Sequence, residues 1–158
     1  SRGEYSKFFN FRRGNLFENE VFSYSYGGSI GTNFNKAPNI KLGFTQSIND
    51  YGNQIFYTNR PNVNVDALFL KHFIFDANYS YYDYHDKERT VTNEYAFLSA
   101  GLTFRKKESK WEYKISGTNL LNTTSINRDS FSQVANSVTT TNYFVQPRFL
   151  MLTLKYNL

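Results

Sequence analysis

The densest group of potentially reactive side chains is Tyr82-Asp83-Tyr84-His85-Asp86-Lys87-Glu88, a histidine among three carboxylates. Such groups hold a metal ion or pass a proton between an acid and a base. The run from His85 to Arg89 is charged throughout and lies between two apolar alternating segments, which reads as a solvated hairpin turn. The chain has only 2 His and no Cys, so a closed zinc site and thiolate chemistry have no ligands to draw on. Gly27-Gly28-Ser29-Ile30-Gly31 lacks the Lys-Ser/Thr step of a phosphate loop and starts no helix. It fits a strand whose missing side chains let something pack close. No nucleophile, base and orienting group can be picked out together, so the chain reads as a non-enzyme without a cofactor or bound metal.

The elements that position these residues are strands. Apolar and polar side chains alternate along 21–33, 39–48, 62–70, 73–84, 92–105, 111–120 and roughly 143–158. A strand sends successive side chains to opposite faces, so each segment has one greasy and one wet side. Phe73, Phe75, Ala77, Tyr79 and Tyr81, for example, share a side against Asp76, Asn78 and Ser80. An eighth strand near 4–11 is expected, although Phe8, Phe9 and Phe11 break its alternation. Residues 49–61 and the Asn, Ser and Thr-rich 121–142 read as loops.

With the C-terminus taken as the periplasmic end, the connections 34–38, 71–72 and 106–110 are short and periplasmic. Those at 10–20, 49–61, 85–91 and 121–142 are mostly longer and face outside. Short turns alternating with longer surface loops is the pattern of a transmembrane antiparallel barrel. Strands of about 9–11 residues cross the hydrocarbon at a tilt.

The last strand gives the clearest phase. Leu150, Leu152, Leu154, Tyr156 and Leu158 fall on one side, Thr153, Lys155 and Asn157 on the other. Aromatics make up 19% of the chain, yet its mean hydropathy is −0.57, as suits a wall with a lipid side and a water side. No apolar run approaches the roughly 20 residues of a spanning helix. Trp111, Tyr113, Phe104, Tyr143 and Tyr156 stand near strand ends, where aromatic girdles sit. Asp66, Asp76, Asn78, Glu112, Lys114 and Lys155 take the wet, lumen-facing phase. The net charge of +5 lies in scattered turns such as Lys36, Lys71 and Lys106 to Lys110. The aromatics follow strand periodicity and no recognition module appears, which argues against nucleic acid as a partner.

Residues 111–158 carry a resemblance. Asn119-Leu120-Leu121-Asn122-Thr123, a Ser/Asn/Thr-rich stretch, Gln146-Pro147-Arg148 and an apolar alternating end resemble the final hairpin of TonB-dependent outer-membrane receptors. Within that family the chain is most similar to the Gram-negative group whose members begin with a carboxypeptidase-regulatory-like domain. The motif positions are Asn119, Leu120, Asn122, Pro147 and Arg148. Leu158 stands where the family usually ends in Phe.

The resemblance implies a barrel of about 22 strands closed around a plug. Residues 1–158 would be its C-terminal wall segment, with seven to eight strands, and the plug and earlier strands would lie elsewhere in the parent. It further implies import of a scarce nutrient (a glycan, peptide or metal chelate) across the outer membrane of a Gram-negative bacterium. Implied partners are outer-membrane lipid, the remaining barrel strands and plug, a TonB-type energy-coupling protein and a surface lipoprotein. The apolar terminal strand resembles the signal read by barrel assembly machinery. Two rival readings stand beside it: a complete eight-stranded outer-membrane barrel with a structural or adhesive role, and a soluble all-β binding module. In either barrel, 143–158 needs a second neighbour besides 111–120, because unpaired backbone groups are not tolerated in lipid. That neighbour is an upstream segment in the receptor and the strand near 4–11 in the small barrel.

Overall fold

The computed structural model describes the chain except residues 13–14, 36–37, 53, 107, 133–136 and 158; of 8, 10–12, 15–19, 128–132 and 137–138 it describes the backbone alone. Lys36, Lys107 and Leu158 therefore lie outside the described residues. The fold is all-β, and no helix is long and apolar enough to cross a membrane.

The described residues form ten strands: β1 Arg2–Arg12, β2 Asn15–Gly31, β3 Asn39–Asp50, β4 Ile55–Phe69, β5 Phe73–Asp86, β6 Thr92–Arg105, β7 Trp111–Thr118, β8 Ser125–Ser132, β9 Ser137–Phe144 and β10 Phe149–Tyr156. Eight make one antiparallel sheet in the order β1-β2-β3-β4-β5-β6-β7-β10, and β8 and β9 form a separate hairpin. Every neighbour within the large sheet except β10 is the next strand in sequence, so it is a meander whose final turn is replaced by the hairpin.

The register decides what the alternation means. Residues directly opposite in an antiparallel pair point to the same side. Leu152 stands opposite Ile115, Ile115 opposite Leu102, Leu102 opposite Phe75 and Phe75 opposite Ala67. Further along, Val63 stands opposite Leu42, and Leu42 opposite Ile30. The apolar phases of seven strands thus fall on one face, across most of the sheet. The opposite face carries Ser25, Lys41, Asn64, Asp76, Lys114 and Lys155.

Among the described residues no second layer covers the apolar face. Among the described residues Phe56, 1% exposed, is the sole fully buried hydrophobic side chain, while Ile30 and Leu150 are each 75% exposed. A soluble sandwich buries its apolar faces between two sheets about 10 Å apart; this sheet has no such partner.

Several boundaries differ from the sequence reading. The strand near 4–11 forms and is longer, and β2 starts at Asn15 rather than residue 21. The expected loop 49–61 shrinks to residues 51–54, because Ile55 to Arg60 pair with Thr45 to Asp50. The expected loop 121–142 holds a hairpin, which takes in Tyr143 and removes it from the proposed girdle; β10 begins only at Phe149. Consequently the connections at 51–54 and 87–91 are no longer than those at 32–38 and 106–110. The length asymmetry survives only in 119–148. The ends expected as loops are strand extensions, and β4 reaches 15 residues.

The sheet does not close. β10 pairs with β7 alone and β1 with β2 alone, so the closure between 143–158 and 4–11 that a complete small barrel requires is absent. The second neighbour expected for 143–158 is not found among the described residues.

Candidate functional site

The candidate site is the wet face, together with the two ends of the apolar face that bound it. At the end that holds the turns after β4 and β6, the short-turn end, the apolar face finishes in a row of rings. Phe69 stacks on Phe73 at 5.3 Å between centroids, Phe73 meets Phe104 at 5.0 Å, and Phe104 meets Tyr113 at 6.3 Å. Trp111 contacts Tyr113 at 6.5 Å and Tyr156 at 4.9 Å, and the Lys110 ammonium sits over Tyr156 at 5.7 Å. Phe104, Trp111, Tyr113 and Tyr156 were legible in sequence as ring positions near strand ends; the register joins them into one row with Phe69 and Phe73.

At the other end a polar belt crosses the apolar face from β2 to β6. The Tyr26 hydroxyl donates to Gln46, and Gln46 Nε2 donates to Asn59 Oδ1 at 2.6 Å. Asn59 Nδ2 donates to Asp83 Oδ2 at 3.0 Å. Arg89 spans Asp83 at 3.6 Å and Glu94 at 3.7 Å, and the Tyr81 hydroxyl donates to Glu94 at 2.7 Å. Asp83, at 7% exposed, is the buried hub, with His85 Nε2 3.6 Å from the same oxygen. Its other oxygen, Oδ1, has no hydrogen-bond partner among the described residues.

The turn read at 85–89 sits slightly later: β5 runs on through Asp86, and residues 87–91 turn. Asp86 does the turn's work, accepting from the Val91 amide at 3.0 Å and from the Thr90 hydroxyl. The group is a structural network, and no cluster able to hold a metal ion exists among the described residues. The sequence did carry a signal for the belt: Gln46, Asn59, Asp83 and Glu94 are polar residues on the apolar phase. Beside that line the otherwise wet face also carries rings: Phe56 stacks on Tyr84 at 5.4 Å and Tyr82 on Tyr95 at 4.5 Å, while Tyr24, Ile48 and Tyr57 continue the apolar phase beyond the belt.

The lumen-facing candidates do share one face. Lys114 lies 3.7 Å from Asp76, and Arg105 lies 3.8 Å from Glu112. Asn39 donates to Asp66 at 3.2 Å, and Asn78 to Asn64 at 2.6 Å. Lys155 stands opposite Glu112 in register. These side chains lie down across the sheet where glycine leaves room: a Cβ on Gly101 would sit 2.8 Å from Asp76 Oδ1, and one on Gly43 would sit 2.7 Å from Asn62 Oδ1. The candidates form neighbouring ion pairs and amide ladders rather than converging on one point.

The motif residues form a corner. Asn119 is 4% exposed with φ 52°, and Asn122 has φ 56°. Asn119 Nδ2 donates to Thr123 O at 2.8 Å and to Gln146 O at 2.9 Å, and its Oδ1 accepts from the Thr123 amide at 3.0 Å. Asn122 Oδ1 accepts from the Arg148 amide at 3.3 Å, and the Leu120 amide donates to Leu98 O at 2.7 Å. Asparagine tolerates the left-handed backbone better than most residues and can bond its own local chain. The corner ties both ends of the β8–β9 hairpin to β6 and β7, so β10 can return beside β7. Among the described residues no hydrogen bond or ion pair involves the Pro147 ring or the Arg148 side chain.

Leu150, Leu152, Leu154 and Tyr156 share the apolar face of β10 and are all exposed. The chain matches no family model, and no curated protein or solved structure is found to match it.

Proposed function

We propose that this chain is a wall segment of an outer-membrane β-barrel. The observation that carries the reading is the common apolar face, exposed across the sheet and bounded by a ring row at one end and a hydrogen-bonded polar belt at the other. On β5 the apolar phase runs from Phe73 to Tyr81, before Asp83. Eight steps at about 3.4 Å give about 27 Å along the strand. At the usual barrel tilt of about 40° that is about 21 Å along the membrane normal, and the end rings bring it near the about 25 Å apolar band of such barrels. A sheet of this kind in water would expose an apolar patch far beyond the few hundred Å² that soluble monomers tolerate.

The two free edges favour a segment of a larger wall over a complete eight-stranded barrel. Edge backbone groups in lipid have to be paired, and this chain does not pair its own. The further assignment, to a TonB-dependent receptor-like transporter that imports a scarce nutrient, rests on the sequence resemblance of 111–158 and on the Asn119–Asn122 corner that its motif builds.

Cell fractionation tests the wall reading. The protein should sediment with outer membranes and resist alkaline carbonate extraction; recovery in the soluble fraction overturns the reading. Transport is tested separately. Loss of the protein and loss of the energy-coupling partner should abolish uptake of the same nutrient, and uptake that survives either loss refutes a TonB-type role.

A further inference from the structure

At the short-turn end the wet face is interrupted by a recess of about 440 Å³. Its floor is Leu68 and Ile74, directly paired across β4 and β5, 53% and 41% exposed, next to the polar Asp66, Asp76 and Thr103 on the wet face. Its rim carries Lys71, His72, Arg105 and Lys106. One carboxylate, Glu108, also lines it, and Arg105 is drawn partly aside by Glu112. Among the described residues Lys71 and Lys106 have no ion-pair partner.

The frame is tied. Leu70 and Lys71 adopt φ 50° and 62°, the left-handed pair of a tight hairpin turn. The Arg105 amide donates to His72 O at 2.8 Å, binding that turn to the end of β6, and the Asn157 amide donates to Lys110 O at 2.7 Å. Leu68, Ile74 and Arg105 point away from the apolar band, so lipid in contact with the band does not reach the recess.

We propose that the recess docks an acidic peptide segment carrying an aliphatic side chain, with the aliphatic group on Leu68 and Ile74 and flanking carboxylates on Lys71, Lys106 and Arg105. The argument is complementarity. A lysine rim alone is a solvated surface, and an apolar floor alone is a gap in the wet face. An apolar floor ringed by cations matches an anionic chain with one greasy anchor. A small anion uses the rim and leaves the floor wet, so a floor contribution separates the two. The inference stands on this local geometry and not on the barrel reading.

The probe is a fluorescent synthetic peptide with one Leu between Asp and Glu residues, titrated against the folded protein by anisotropy. Replacing its Leu by Ser, or Leu68→Asn in the protein, should weaken binding about tenfold. Lys71→Glu with Lys106→Glu should weaken it at least as much, and that double variant should gain affinity for a peptide with Lys in place of the acids. Lys87→Glu, at the opposite end of the sheet, should change nothing. Binding indifferent to the peptide Leu and to Leu68, or competition by millimolar inorganic phosphate, would identify a plain anion site and overturn the proposal. So would absence of binding by the folded protein, whether or not it resides in membranes.

Discussion

If the chain is a barrel wall, arginine placed on either side of one backbone step in β10 should separate lipid from water. Leu152 lies on the apolar face opposite Ile115 and is 64% exposed; Thr153, its neighbour, lies on the wet face opposite Lys114. Leu152 is four residues from Tyr156 in the ring row, about 14 Å along the strand. At a tilt of about 40° this is about 10 Å along the normal, near the middle of the band. A cation there costs about 2–4 kcal/mol, a drop of roughly 30- to 700-fold in the folding equilibrium. Thr153→Arg meets Lys114 across the pair, a like-charge cost of about 0.2–1 kcal/mol, which Asp76 beside Lys114 offsets in part. In water the order reverses: Leu152→Arg on an exposed position is neutral or solubilising. The assay is heat-modifiable gel mobility of membrane fractions, with urea midpoints of protein folded into vesicles. Leu152→Arg should lose most of the folded band and Thr153→Arg should keep it. Equal folding of the two variants would mean that the alternation does not divide lipid from water, and the wall reading would fall with it.

Other expectations follow from the same faces. A Cβ on Gly27 would stand 2.6 Å from the Phe44 carbonyl oxygen, whereas one on Gly28 meets nothing within 4 Å; Gly27→Ala should cost about 1–3 kcal/mol in urea unfolding and Gly28→Ala almost nothing, and equal effects would contradict the register. Asn119→Ala removes three hydrogen bonds at a left-handed residue and should cost about 2–3 kcal/mol. Asn119→Gly should recover about 1 kcal/mol of that by relaxing the backbone; no difference between them would show that the φ of 52° carries no strain. For orientation, a cysteine at Ser130 should be labelled by an impermeant reagent on intact cells and one at Ser109 should not. The opposite result would invert the assignment of the short turns to the periplasm.

The strands with one apolar phase were legible because that pattern is local: period-two geometry assigns a face wherever greasy and polar residues alternate, as from Phe73 to Tyr81. The β8–β9 hairpin was not legible, because its sequence carries no apolar phase; only the β-branched run Val138-Thr139-Thr140-Thr141 hints at it. Asn49 and Asp50 read as turn residues, yet they pair with Phe56 and Ile55, since partners across a ladder outweigh weak intrinsic preference. The Asn119–Thr123 motif stood out as a pattern without a mechanism, because its bonds reach Ala96, Leu98 and Gln146, distant in sequence.

By itself, then, the sequence determined the face of each residue within a strand, the absence of a spanning helix and the polar character of the candidate lumen positions. Tertiary structure decided how the strands are set against one another. A shift of one residue between neighbours would have turned an apolar phase to the wet side, and the alternation within a single strand is blind to such a shift. Only the paired register gathers the phases onto one face, lines up Gln46, Asn59, Asp83 and Glu94 as a belt, places Leu68 beside Ile74 under a basic rim, and leaves β1 and β10 as open edges.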